Sequence, residues 1–135
     1  MALGNAEIQV VWSSSDSKSV AAAGTEASDV FTFAAAAIEA MVTLKADNAG
    51  TPASGDVVEF YAALSCGDPD GASTEEYPTA VAHMIYLGTI DTYAQDAECL
   101  TVSLPVAVKG KIVAKNTAAS NAIVVSGCIN QKVVS

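Results

Sequence analysis

The sequence alternates apolar and polar side chains along several short segments, and clusters of turn-forming residues separate these segments. Alternation with a period of two places one set of side chains on a single face of a β-strand. It is clearest in "IEAMVTLKA" (38–46), "DVVEFYAAL" (56–64) and "CLTVSLP" (99–105). The apolar residues predicted to face a core are Ile38, Ala40, Val42, Leu44, Ala46, Val58, Phe60, Ala62, Leu64, Leu100, Val102 and Leu104. Such a chain is expected to build its core from the inner faces of β-sheets.

The segment "NAIVVSGCI" (121–129) is apolar on both faces and rich in β-branched residues, which predicts a central strand. Further strands are predicted at 6–12, 17–22, 30–33, 80–89 and 111–115. Residues typical of turns fill 13–17, 47–56, 67–79, 91–98 and 116–121. The whole pattern predicts an all-β protein: a single β-sandwich of jelly-roll type over residues 1–135, with eight or nine short antiparallel strands.

The segment "SDVFTFAAAAIEAMVTLK" (28–45) fits a helix as well as strands. As a helix it would carry an apolar stripe, begin at Asp29 and end near Gly50, and its alanines have the best helix propensity. The neighbouring strand patterns and the aromatic "VFTF" favour two strands around an alanine-rich connection.

The charge of the chain excludes whole classes of partner. Fifteen acids against six lysines give a net charge of −9, and the sequence contains no arginine. Nucleic-acid binding needs a basic surface and guanidinium groups, so it is not expected. The same sign argues against an anionic membrane surface. The start of the chain lacks the basic and apolar regions of a secretory signal, and we expect synthesis in the cytoplasm.

The three cysteines, Cys66, Cys99 and Cys128, are widely spaced, and His83 is the only histidine. This spacing does not fit a zinc site, and reduced, partly buried thiols are expected. His83 is expected to be packed or at an interface. No nucleophile turn or phosphate loop is present, so neither an enzymatic activity nor a cofactor is predicted.

The stretch "SCGDPDGASTEEY" (65–77) is rich in carboxylates. An EF-hand loop would need glycine at its sixth position, but counting from Asp68 places Gly71 at the fourth. A different cation site formed by Asp68, Asp70, Glu75 and Glu76 is one possibility. A Pro-Asp-Gly turn is favoured, because proline presets φ and glycine accepts a positive φ.

The one basic cluster is "VKGKIVAKN" (108–116), in which Lys109, Lys111 and Lys115 share a strand face by parity. Lysines on a strand often prevent uncontrolled strand pairing. In an acidic protein they are alternatively the place where an acidic partner docks. Trp12, the only tryptophan, is expected to fill the core.

Several phrases resemble small virion proteins of tailed bacteriophages, and among these most closely the capsid decoration, or cement, proteins. They are "VWSSSDSKSV" (11–20), "KADNAGTPASGDVVEFY" (45–61), "GDPDG" (67–71), "YLGTIDTYAQDAE" (86–98) and "LPVAVKGKIVAKNTAASNAIVVSG" (104–127). The resemblance implies a compact all-β protein that is made in the host cytoplasm and added to the virion.

It further implies binding to the major capsid protein and to neighbouring copies of the chain, as a homo-oligomer or multi-copy assembly that stabilises the shell. A neck or tail component is the first alternative. The second is a glycan-binding module on the virion surface, for which the candidate aromatics are Tyr61, Tyr77, Tyr86 and Tyr93, besides Trp12.

Overall fold

The computed structural model describes residues 2–95 and 97–134, which form strands, turns and one short 3-10 helix at Val81–His83. The strands in this described part are β1 (Leu3–Gln9), β2 (Lys18–Val20), β3 (Thr25–Ala27), β4 (Phe31–Thr32), β5 (Ala37–Asn48), β6 (Val57–Leu64), β7 (Ile85–Asp91), β8 (Glu98–Ser103), β9 (Lys109–Asn116) and β10 (Ile123–Val134).

The strands form two antiparallel sheets that pack face to face. In the first sheet β1 and β2 both pair with β10, followed by β5 and β8. In the second sheet β3 and β4 both pair with β9, followed by β6 and β7. The ten strands therefore occupy eight positions, in the order of a jelly roll. The predicted all-β jelly-roll sandwich is confirmed, and the strand count is higher than eight or nine because the first two positions are each split.

The inner faces of both sheets meet in one apolar core. Val42 and Leu44 of β5 lie in it with Val58 and Phe60 of β6, all of them fully buried. Small residues between them allow the two sheets to approach closely. Trp12 is 2% exposed and belongs to the same core, as predicted.

The segment 28–45 forms strands, which resolves the ambiguity left by its alanines. β4 and β5 are joined by a turn in which the Ala37 amide donates to the Ala34 carbonyl oxygen at 3.1 Å. Strand geometry wins over helix propensity because β5 is paired on both sides, by β10 and β8. Its alternate residues thereby reach the core, and residues 41–46 have ladder partners on both sides.

The strand prediction is wrong about one side chain of β5. Ile38 was predicted to face the core but is 55% exposed. The β10–β5 register shifts between Lys132 and Val133, so that Val133 lies opposite Ala37. A bulge of this kind turns the side chains beyond it to the other face.

The two ends of the sandwich are built differently. One end carries the segments 33–36, 65–84 and 104–108, and we call the long segment 65–84 the excursion. The opposite end carries 49–56 and 117–122, which are tied together around buried Asp56. The Asp56 carboxylate accepts hydrogen bonds from the Asn121 and Asn48 side-chain amides at 2.7 and 3.0 Å. These bonds hold the pKa of Asp56 below its usual value, with the Asn121 bond as the largest cause.

In the described part of the chain, no helix combines the length and the apolar character needed to cross a membrane.

Candidate functional site

The lysines of β9 lie on the outer face of the second sheet, where their parity placed them. Lys109, Lys111 and Lys115 are each partly exposed. In the strand register, Lys115 lies opposite Thr25 on one side and Glu59 on the other. The chain brings the three ammonium groups to one face, and their role in docking a partner remains a prediction.

Two of the three lysines contact the excursion of their own chain. The Lys109 Nζ lies 3.6 Å from the Glu75 Oε1. The Lys111 Nζ lies 4.9 Å from the centre of the Tyr77 ring, which is a cation–π distance. Lys115 forms no ion pair with the residues that the structure describes, so it is the lysine most available to an outside carboxylate.

The excursion folds back over the outer face of the second sheet. Its base is closed by Cys66 and Glu76, since the Cys66 amide donates to the Glu76 carbonyl oxygen at 2.8 Å. Beyond that base, Pro78, Thr79 and Met84 line a small cavity of about 240 Å³. The sheet residues Ala63 and Val113 also line this cavity. Both are buried although they point away from the core, so the excursion covers part of the second sheet as a third layer.

The tip of the excursion is the predicted Pro-Asp-Gly turn. Gly71 has a φ of 71°, and the Asp70 Oδ1 accepts a hydrogen bond from the Ala72 amide at 3.1 Å. Asp68, Asp70 and Glu76 each present one oxygen, and these oxygens lie within 4.8 Å of one another. Three carboxylates at this spacing are suited to a divalent cation such as calcium. All three are exposed, and the turn itself is sufficient to bring them together.

Glu75, the fourth carboxylate considered for that cation site, points elsewhere. It accepts hydrogen bonds from the Ser65 hydroxyl at 2.7 Å and the Tyr77 hydroxyl at 3.1 Å. These bonds, the Ser65 bond first, and the nearby Lys109 ammonium hold the pKa of Glu75 below its usual value. Glu75 therefore fixes the excursion to the sheet.

A groove of about 490 Å³ lies on the outer face of the first sheet, at the end that carries the excursion. It is lined by Ile38, Glu39, Ala40, Met41, Ser103, Leu104, Pro105, Val106, Asn130 and Lys132. Ile38, Met41 and Val106 are exposed large apolar residues, with 55%, 45% and 37% of their surface accessible. Leu3 and Val108, at the same end, are 60% and 68% exposed.

The groove was missed in the sequence because it depends on the bulge between β10 and β5. Ile38 was assigned to the core, and no sequence signal marks the shift at Lys132. Lys132, the last residue before the shift, lies opposite Glu39 in the register. The charges on the groove are therefore one positive and one negative group on adjacent strands.

Two of the four tyrosines form a pair on the outer face of the second sheet. The Tyr61 and Tyr86 ring centres lie 5.7 Å apart with the rings tilted by 60°. The Tyr61 hydroxyl donates to Glu59 at 2.7 Å, which with burial raises the pKa of Tyr61 to about 12. The Tyr86 hydroxyl is hydrogen-bonded to Thr89.

The tyrosine pair places two aromatic rings beside the polar atoms of Glu59 and Thr89. The other two tyrosines lie apart from it: Tyr77 belongs to the excursion, and Tyr93 follows β7 at the opposite end of the sandwich.

Two of the cysteines are more exposed than predicted. His83, predicted to be packed or at an interface, is exposed at the end of the 3-10 helix, so it is not packed within the chain and its place at an interface stays a prediction. The cysteines are free, as expected, but Cys66 and Cys99 are exposed. Cys128 is partly buried, and this burial raises the pKa of its thiol.

Comparison with known proteins adds information about the fold. Neither a family model nor a curated protein matches the sequence. Among solved structures, dimeric latent PorU from Porphyromonas gingivalis aligns with a TM-score of 0.53 at 10% identity, over 98% of this chain and 13% of PorU.

Two further structures align over nearly the full length of both chains. The xylan-binding module CBM15 has a TM-score of 0.43 at 14% identity, over 95% of this chain and 97% of the module. FLHE has a TM-score of 0.39 at 11% identity, over 98% of this chain and 99% of FLHE. At 10% identity the likeness to PorU concerns the fold alone, and this chain spans only 13% of PorU.

Proposed function

We propose that the chain is a structural protein of a bacteriophage virion that binds the outer capsid shell and stabilises it. The observation that carries this proposal is the apolar groove beside Ile38, Met41 and Val106. Exposed apolar surface of this kind, bordered by polar residues, is typical of a site that binds another protein. The phrases that resemble small virion proteins support a capsid subunit as the partner.

The charges around the groove support a protein partner. The chain as a whole carries −9, but at the groove Glu39 and Lys132 lie opposite one another on adjacent strands. A partner that covers the groove therefore buries a balanced pair and no isolated charge. Burial of an uncompensated charge would oppose binding.

The proposal includes no enzymatic activity. The buried carboxylate in the described residues is Asp56, and its hydrogen bonds with Asn48 and Asn121 already hold the end segments together. We further propose that the chain is made in the host cytoplasm, resides in the virion and acts in many copies. Many copies turn weak individual contacts into firm attachment.

Removal and return of the protein test the capsid role. Particles stripped of the chain should lose resistance to heat, and the added protein should rebind and restore that resistance. Val106→Asp in the groove should weaken rebinding by more than about tenfold. Thr43→Asp, on the same outer face but outside the groove lining, is the matched control and should rebind normally.

Two results would count against this role. Unchanged heat resistance of stripped particles would refute the stabilising function. Equal rebinding of both variants would refute the groove as the docking site. Binding to purified necks or tails, with none to the shell, would replace the capsid assignment with the neck or tail alternative.

The tyrosine pair favours a second candidate, a glycan-binding module on the virion surface. Tyr86 is 57% exposed, and Glu59 and Thr89 place polar atoms beside the two rings. A glycan array with the isolated protein tests it. Binding that Tyr86→Ala abolishes would support this candidate, and an array without binding would reject it.

A further inference from the structure

Strand β8 forms an open edge of the first sheet. It pairs with β5 on one side, and no strand among residues 2–95 and 97–134 pairs with its other side. The Leu104 amide donates to the Ala40 carbonyl oxygen at 3.0 Å, which sets the phase of the ladder. Alternation then turns the backbone groups of Cys99, Thr101 and Ser103 away from β5, towards solvent.

The other edges of the sandwich are protected in ways that β8 is not. The β6–β7 pairing is irregular between Phe60 and Tyr61, and β3 and β4 are only three and two residues long. β1 carries an exposed charged side chain, Glu7. Bulges, short strands and charges are the common protections of a sheet edge. β8 has no proline, lysine or bulge, and Cys99, Thr101 and Ser103 are uncharged. Its one charge is the exposed Glu98 at the start of the strand, whose Oε1 accepts a hydrogen bond from the Cys99 amide at 3.3 Å. Pairing with a second strand would replace that bond.

We propose that two copies of the chain associate by antiparallel pairing of their β8 strands, with Thr101 opposite Thr101 of the second copy. In this register three residues of each strand exchange backbone bonds, which gives about six hydrogen bonds across the interface. The two copies then share one continuous sheet through their first sheets.

The residues that flank β8 select this register. Centring the pair on Ser103 would bring Pro105 into the ladder, and proline has no amide hydrogen to donate. Centring it on Cys99 would bring in Ala97, whose φ of 57° is not that of a strand. Thr101 is the centre that uses the extended part of β8 and leaves both of these residues outside.

In the register centred on Thr101, the side chains of the two β8 strands are also complementary to each other. Leu100 and Val102 point inward but remain partly exposed, because β8 is an edge. In the proposed register Leu100 lies opposite Val102 of the second copy, and Val102 lies opposite Leu100 of the second copy. Each copy therefore covers these two partly exposed side chains of the other. Glu98 lies opposite a leucine, and no carboxylate faces another across the interface.

The symmetry of this pairing has a geometric consequence. A two-fold axis through paired antiparallel strands is perpendicular to the sheet, so the outer faces of both first sheets point to the same side. The grooves of the two copies would then open on one surface of the dimer. The dimer is proposed for the free protein and does not depend on the proposed capsid role.

The first experiment measures the mass of the protein in solution by light scattering and sedimentation. The wild type should be a dimer. Thr101→Lys places like charges opposite each other at the two-fold axis and should raise the dissociation constant by more than about tenfold. Thr43→Lys is a matched control, because it adds the same charge and breaks the same 2.9 Å bond between Thr43 and Thr101. It should remain a dimer.

A monomeric wild type, a dimeric Thr101→Lys variant or a trimer would each overturn the proposal. A monomeric wild type that still rebinds stripped capsids would refute the dimer and leave the proposed function intact. A dimeric wild type that does not bind stripped capsids would support the dimer and refute the proposed function.

A second experiment tests the register directly. In the proposed pairing Cys99 lies opposite Ser103 of the second copy, at a Cα separation of about 5.5 Å that suits a disulfide. Ser103→Cys in a Cys66→Ser background should therefore form a disulfide-linked dimer on mild oxidation. Adding Cys99→Ser should abolish the link. Oxidised protein that runs as a monomer, or a link that survives without Cys99, would overturn the register.

Discussion

The outer faces of the two sheets differ in how much of them the chain itself covers. On the second sheet the excursion shields Ala63 and Val113 and contacts two of the β9 lysines. On the first sheet the apolar side chains of the groove remain exposed. The outer face of the second sheet is thus partly covered by the chain itself, whereas that of the first sheet leaves an apolar groove exposed.

Two of the three β9 lysines make their contacts within the chain, on the covered face. Lys109 is paired with Glu75, and Lys111 lies over Tyr77. Single pairs of this kind add little stability because solvent screens them. Their effect is positional, since they hold the excursion against the second sheet.

The largest effect is expected where the covered face is made charged. Val113→Asp would bury a carboxylate under the excursion without a partner, and should lower the free energy of unfolding by about 3 kcal/mol or more. Ser126→Asp makes a similar change on the open face, beside Lys45 in the register, and should change it by less than about 0.5 kcal/mol. Urea unfolding of both variants measures the difference. Equal effects would mean that the two faces are equally exposed.

A smaller effect is expected from loosening the excursion. Tyr77→Ala removes a half-buried ring together with its hydrogen bond to Glu75 and its contact with the Lys111 ammonium, and should cost about 1 to 2 kcal/mol, with faster proteolysis between residues 67 and 76. Tyr93→Ala, which removes a 59% exposed ring, is the control and should leave both quantities almost unchanged. Unchanged proteolysis of the Tyr77 variant would show that the excursion is held by other contacts.

The smallest effect concerns pH. The pKa of Glu75 is lowered in the folded state, so its contribution to stability is present above its unfolded value of about 4.5. That contribution is lost as the pH falls through the lower folded pKa. The wild type should therefore lose stability more steeply below pH 4.5 than Glu75→Gln does.

Asp56, whose pKa is also lowered, causes the same loss of stability at low pH in the wild type and in Glu75→Gln. Its contribution therefore cancels when the two proteins are compared. Glu76→Gln leaves the Glu75 contacts in place and should follow the wild type. Parallel curves for the wild type and Glu75→Gln, recorded by urea unfolding at each pH, would contradict the role of Glu75.

The sequence was informative about the long strands because each buries a full alternating face. The inner residues of β6 and β8 and the central place of β10 were predicted and are confirmed. β3 was missed because Thr25–Ala27 is too short to show a period. The segment 80–89 was predicted as one strand, but β7 begins only at Ile85, after the 3-10 helix.

The candidate sites were less predictable because they depend on contacts between distant parts of the chain. Parity placed Lys109, Lys111 and Lys115 on one face, but local sequence does not reveal that Glu75 and Tyr77 return to meet two of them. The groove needs a bulge, which arises from the pairing of β5 with β10 and leaves no mark on either strand alone.

The central position of β10 has a consequence for how the protein folds. β10 lies between β5 on one side and β1 and β2 on the other, so the first sheet stays incomplete until residues 123–134 have been synthesised. Pairings between such distant strands make folding slow, and they delay it until most of the chain has left the ribosome. During that interval β1 and β5 have unsatisfied edges, and chaperone binding at this stage is expected to influence the yield of native protein.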